Sequence, residues 1–257
     1  MRTRIEPWWK LSLMLAAAFA VAAAASSCAT SAAMATHLSS GCTSGHRVAL
    51  TFDDGPNQPY TGQILDLLTA EHAPATFFVE GEAVAADPAT VKRELALGMA
   101  IGAHSHTHSD KLPQMDDASF TADLDRADAA LRAAAGFSPA LFRPPYGHSS
   151  HTMLRALRRE GYTSIGWDVD SRDWSDAGVD DVVANVLNNA HPGAIVLMHD
   201  GGLGGGRKDR STTLAALPRI IEGLRARGYE LVTVLQLTGI DAVRQPGHPG
   251  MRACPKR

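Results

Sequence analysis

Short apolar runs alternate along this chain with segments whose apolar residues recur every three or four places, and that alternation restricts the fold more than any other feature. The runs cover residues 48–52, 75–79, 99–103, 140–142, 163–167, 194–198 and 231–235. They are continuous instead of alternating, the pattern of strands buried on both faces. Between them lie helical patterns at residues 60–72, 89–97, 117–134, 149–160, 180–189 and 211–227, as in Ile64, Leu65, Leu67 and Leu68 or Leu124, Ala127 and Leu131. The alternation predicts an α/β fold with a parallel sheet, either closed as a barrel or open and doubly wound.

The chain has no internal repeat, and its 257 residues suffice for one large domain, expected over residues 44–240. Arg2, Arg4 and Lys10 precede an apolar run at 11–25 that gives way to small and polar residues, the order of an export signal over residues 1–35. That run is shorter than the roughly 18 apolar residues a spanning helix needs. The expectation is an exported protein, secreted or held at the cell envelope. Processing after Ala33-Met34-Ala35 is one route; Ala25-Ser26-Ser27-Cys28 loosely resembles a lipoprotein box, which would anchor the chain at Cys28. Residues 36–45, rich in Ser, Thr and Gly, read as a linker, and 241–257, with Pro246, Gly247, Pro249 and Gly250, as an irregular tail. With 24 basic and 27 acidic residues and no basic block, nothing recommends nucleic acid or an anionic membrane surface. No protein partner is implied, and a monomer is expected.

The ionisable residues gather at the carboxyl ends of the predicted strands, which in parallel α/β folds form one face. The first strand stops on Asp53-Asp54-Gly55-Pro56. Adjacent carboxylates repel, and a bound cation, an Arg or a raised pKa must offset this. His104 and His108 follow the third strand, four apart, and can face the same way on one helical turn. With Asp54 they make three ligands for Zn²⁺ or a similar ion and leave positions open for water and substrate. His106 would point away. Arg143, in a rigid Arg-Pro-Pro-Tyr segment, suits the other carboxylate, Asp53. After the fifth strand come Asp168, Asp170 and Asp173, with Trp167 expected in the core and Trp174 at the cleft. His199 ends the sixth, and oriented by Asp173 it would act as a general acid.

Five ordered segments, Thr51-Phe52-Asp53-Asp54, His104 to His108, Arg143 to Tyr146, Asp170 to Trp174 and Val196 to His199, resemble the motifs of polysaccharide deacetylases with a NodB homology domain, carbohydrate esterase family four. The resemblance covers most of residues 44–240. It implies a distorted seven-stranded (β/α) barrel and a metal-dependent hydrolase that removes N-acetyl groups from GlcNAc-containing glycans, chitooligosaccharide or peptidoglycan, giving acetate and glucosamine units. On this resemblance Asp53 is the base; Asp54, His104 and His108 hold one divalent ion, Zn²⁺ or alternatively Co²⁺. Arg143 steers the base, the Tyr146 amide helps bind the oxyanion, and His199 with Asp173 supplies the acid. The family's Leu-x-Leu-His becomes Val196-Leu197-Met198-His199 here, so Val196 and Met198 would line the acetyl-methyl pocket. An O-acetylxylan esterase and a non-catalytic carbohydrate-binding protein on the same scaffold are the alternatives. The glycine-rich stretch 201–210 carries Arg207, Lys208 and Arg210, which would either meet an anionic glycan or belong to a plain flexible loop.

Processing at either place leaves Cys42 and Cys254 in the folded part, and in an exported protein the pair predicts a disulfide. Closing so long a loop contributes about 4–5 kcal/mol in the chain-entropy model. Thiol titration of the exported, denatured and unreduced protein is expected to find both cysteines unreactive; two reactive thiols would show them unpaired.

Overall fold

The computed structural model describes residues 37–41, 45–202 and 209–246. Among these residues nine strands form one sheet: β1 (His37–Leu38), β2 (Arg47–Asp53), β3 (Thr76–Val79), β4 (Ala100–Ala103), β5 (Leu141–Phe142), β6 (Thr163–Ile165), β7 (Val169–Asp170), β8 (Ile195–His199) and β9 (Glu230–Leu231). Eight α-helices accompany them: α1 (Tyr60–Ala70), α2 (Gly81–Ala86), α3 (Pro88–Ala96), α4 (Asp117–Ala135), α5 (His151–Arg159), α6 (Val179–Asn189), α7 (Ser211–Ala226) and α8 (Val234–Thr238). The strand order is β1-β6-β5-β4-β3-β2-β8-β7, with β9 beside β2, and every ladder is parallel. No helix among the described residues is long and apolar enough to cross a membrane.

The parallel sheet curls toward the expected distorted barrel, and its two faces are covered differently. Leu50, Phe52, Phe77, Ile101, Phe142, Val196 and Met198 pack in one large cluster with residues of the surrounding helices, such as Leu68, Leu124 and Ile220. Ala49, Phe78, Leu141, Ile165 and Ile195 form a smaller cluster on the inner face. Side chains alternate along a strand. Ala49, Thr51 and Asp53 therefore point inward on β2, as do Ile195, Leu197 and His199 on β8. The β2–β8 register sets Asp53 directly beside His199.

Within the expected linker 36–45, residues 37–41 are paired to the sheet. His37 and Leu38 pair with Ser164 and Ile165 of β6, and Ser40 then bridges to Ala194 while Gly41 N–H donates to the Gly193 carbonyl at 2.8 Å. These few residues span the seam between β6 and β8. The tail is likewise docked as far as the structure describes it: Val243 bridges to Pro139, and Arg244 pairs with Asp128 at 2.8 Å and lies over the Tyr162 ring. The folded unit thus runs past both ends of 44–240. The run at 231–235 divides into β9 and α8, because Thr233 and Gln236 form a reciprocal capping box: Gln236 N–H donates to the Thr233 hydroxyl at 3.2 Å, and Thr233 N–H donates to Gln236 Oε1 at 2.9 Å.

Removing residues 37–41 while keeping Cys42 is expected to open the seam. Calorimetry should show Tm falling by several degrees, at about 2–4 °C for each kcal/mol lost in a domain of this size; an unchanged Tm would make the strand dispensable.

Candidate metal and catalytic site

The site begins with a turn that sends two neighbouring acids in different directions. Asp53 closes β2, and Asp54 adopts a left-handed φ of 75°. The backbone N–H groups of Asp200 and Gly201 both donate to the Asp53 carbonyl at 3.1 Å, clamping the turn to the end of β8. Only glycine fits at 55, where a Cβ would lie 2.0 Å from the Asp200 carboxylate, and at 201, where it would lie 1.9 Å from the Asp54 carbonyl oxygen.

Asp53 faces Arg143. Arg143 Nη1 donates to Asp53 Oδ1 at 2.6 Å and to the Thr51 hydroxyl at 2.8 Å, and Nη2 donates to the Gly166 carbonyl at 3.0 Å. The guanidinium carbon sits 4.1 Å from the centre of the Phe78 ring. Arg143 is wholly buried; burial lowers its pKa, and the Asp53 carboxylate works against that.

Asp54 faces the histidines. Its Oδ1 lies 3.3 Å from His104 Nε2 and 3.2 Å from His108 Nε2. One donor atom from each residue falls within 4.8 Å of the others, and all three residues are buried. Burial pushes the Asp54 carboxyl up, but the neighbouring His104 and His108 imidazoles, with the charge of His199 added, hold it well below the usual carboxylate range. His104 Nδ1–H donates to the Arg143 carbonyl at 2.8 Å, which leaves the Nε2 lone pair directed at Asp54. Asp54 Oδ1 is buried without a hydrogen-bond donor, as an oxygen that serves a cation would be. Two imidazole nitrogens and a carboxylate suit Zn²⁺ and related ions, with positions left for water and substrate. The two histidines meet through a loop and not on a helical turn: Ser105 (φ 63°) and His108 (φ 50°) are left-handed, and Ser105 Oγ accepts from His108 N–H at 3.0 Å. His106 turns away and packs against Gly81.

Across the cleft, His199 Nδ1–H donates to Asp173 Oδ1 at 2.8 Å, while Asp173 Oδ2 accepts from His199 N–H at 2.8 Å and from the Thr213 hydroxyl at 2.6 Å. Burial alone would lower the His199 pKa. The charge and hydrogen bond of Asp173, joined by the charges of Asp54 and Asp53, raise it to about 9.

Asp53, Asp54, His104, His108 and His199 line a cleft of about 460 Å³ with Tyr146, Trp167, Trp174, Leu197 and Arg210. Tyr146 is left-handed (φ 58°) and 48% exposed, its ring edge-on to His108. Trp174 is 52% exposed, with Nε1 donating to Asp170 Oδ1 at 3.2 Å. Val196 and Met198 do not line the cleft: with His199 facing in, the two-residue period turns both toward the helices and brings Leu197 to the cleft wall. Trp167 belongs to the cleft wall and not only to the core. Arg210 is buried beside Asp54, with Nε donating to the Gly201 carbonyl at 2.5 Å and Nη2 3.8 Å from Asp54 Oδ2. Leu197 could have been found from the strand period; no local signal marked Asp200, and Arg210, which stands out in the sequence only as one cation of the glycine-rich stretch, turns inward to the acidic turn. Cys28, Cys42, Cys254, Arg207 and Lys208 lie outside the described residues.

A sequence model of the polysaccharide deacetylase family matches residues 40–165. The chain is 40% identical over 192 residues to a peptidoglycan-N-acetylglucosamine deacetylase of Bacillus cereus, covering 74% of this chain and 87% of that protein. It is 40% identical over 205 residues to a chitooligosaccharide deacetylase of a Bradyrhizobium species, covering 77% and 93% respectively. The crystal structure of a peptidoglycan N-acetylglucosamine deacetylase in complex with an N-hydroxybenzamide superposes with a TM-score of 0.76 at 32% identity, over 82% of this chain and 96% of that one. With its barrel, its strand-end motifs and these relatives, the chain belongs to the polysaccharide deacetylase family, carbohydrate esterase family four.

Proposed function

We propose that this protein is an exported, metal-dependent N-deacetylase of GlcNAc-containing glycans, with peptidoglycan or chitooligosaccharide as substrate and Zn²⁺ as its ion. The observation that carries the reading is the division of labour between neighbours: Asp53 is tied to Arg143 and Asp54 to the two histidines, with an Asp-oriented His199 opposite. The names of the two relatives supply the substrate classes.

Asp54, His104 and His108 would hold a divalent ion, which would supply Lewis-acid chemistry at the acetyl carbonyl and for the attacking water. Asp53, kept off the ion by Arg143, takes a proton from that water. The Tyr146 amide, on the cleft wall, would donate to the oxyanion. His199 gives its proton to the departing nitrogen as the carbon–nitrogen bond breaks, so that acetate and a free amine result. Arg143 orients the base, and Asp173 fixes the His199 tautomer. Leu197 and Trp167 give the acetyl methyl an apolar wall. Acetate release from a panel of chitooligosaccharides, peptidoglycan and acetylated xylan, with and without chelator, tests this. Release from xylan alone would favour the esterase reading; no release from any of them would favour the non-catalytic one.

Asp53→Asn keeps the shape of the site and removes the base. It should still bind Zn²⁺ while turnover falls about 10²–10⁴-fold; substantial remaining turnover would take the base role from Asp53. Because a donor must be protonated, kcat should fall as pH rises through the His199 pKa, about 9. An ion on Asp54 offsets one of the carboxylate charges that raise this value, so the alkaline limb should fall at or below it. Asp173→Asn should move the limb to lower pH; a limb that stays in place would sever His199 from it.

A further inference from the structure

The His104–His108 loop is held by groups that never reach the cleft. On one side, the N–H groups of Gly81 and Glu82 donate to the carbonyls of Ser105 at 2.9 Å and His106 at 3.1 Å. On the other stands Asp123 of α4. Its Oδ2 accepts from His106 N–H at 2.8 Å, its Oδ1 accepts from the Thr107 hydroxyl at 3.1 Å, and Arg126 lies 3.5 Å away. Asp123 is only 1% exposed.

The loop needs such support. Left-handed φ values at Ser105 and His108 cost of order 1–3 kcal/mol each and persist only where the surroundings over-determine them. A buried carboxylate is costly unless hydrogen-bonded, and the partners of Asp123 include two consecutive residues of this loop. The loop residues it holds lie between the two proposed ligands. We propose that Asp123 is a positioning residue of the metal site: by fixing His106 and Thr107 it sets the loop so that the Nε2 atoms of His104 and His108 both meet Asp54 Oδ1. This rests on the metal reading above. Asp123 touches neither the cleft nor the reacting atoms, so its effect should appear in metal affinity and not in the chemical step.

Zn²⁺ titration of the full chain, by calorimetry or chelator competition, tests this. Asp123→Ala should weaken Zn²⁺ binding about 10–100-fold, the usual cost of losing a group that orients ligands, while kcat at saturating Zn²⁺ returns to the parent value. Asp123→Asn should recover most of the affinity, since the amide oxygen still accepts from His106 N–H and the amide nitrogen can donate to the Thr107 hydroxyl. Thr107→Val, which leaves Asp123 in place, should show a smaller loss in the same direction and serves if Asp123→Ala does not fold. Asp128, also buried on α4 but paired with Arg132 and Arg244, is the control: Asp128→Ala should lower Tm and leave Zn²⁺ affinity alone. Parent-like affinity in Asp123→Ala, or an equal loss in Asp128→Ala, would overturn the role of Asp123. A parent protein that takes up no Zn²⁺ would overturn the metal reading itself.

Discussion

The ion pair between Arg143 and Asp53 is the constraint on which the site depends. Both partners are buried, and a charge taken out of water is costly unless paired and hydrogen-bonded on every side. Arg143 meets most of that demand with Asp53, Thr51, the Gly166 carbonyl and the Phe78 face, leaving only Nε without a hydrogen-bond partner, and so ties β2 to the ends of β5 and β6. Its backbone carbonyl, meanwhile, receives the Nδ1 proton of His104. One residue therefore aims the proposed base with its side chain and a proposed metal ligand with its main chain. Moving Arg143 would disturb both together.

Register converts that pairing into a cleft. Because Asp53 and His199 are partners across β2 and β8, the proposed base and acid come from adjacent strand ends and face a common space. Burial, with the charge of Asp54 next, raises Glu80 to about 9, and burial raises Asp200 to about 7. Glu80 is thus neutral at pH 7, which limits repulsion behind Asp54. Asp200, bonded to the Thr61 hydroxyl at 2.5 Å, braces the acidic turn against α1.

The longer strands of the barrel were legible because they are buried on both faces and so read as unbroken apolar runs, as in Val48 to Phe52, whereas β7, two residues long and ending on the partly exposed Asp170, falls in none of the predicted runs. Nor was β1 legible, since His37 and Leu38 stand among Ser, Thr and Gly and their ordering comes entirely from β6 and from Ala194. The first half of the run at 231–235 looked like the second until Thr233 and Gln236 capped it into a helix. At the site, residue types and strand ends were readable, but conformation was not. Nothing in His-Ser-His-Thr-His announces left-handed backbone at Ser105 and His108, and the support from Asp123 comes from a helix that begins well beyond the loop.

The last motif shows what such a gap costs in interpretation. Read as a pattern, Leu-x-Leu-His becoming Val196-Leu197-Met198-His199 looks like a change of pocket shape. In the barrel the same change falls on the outward positions, where Val196 and Met198 share a cluster with residues of α6 and α7 such as Val186 and Ile220. Swapping one aliphatic side chain for another there adjusts strand–helix packing, which tolerates volume-conserving exchange. The intervening position, which the motif leaves free, faces the cleft as Leu197. Variation at that unspecified residue, and not at the two named ones, is therefore what can reshape the wall that meets the substrate.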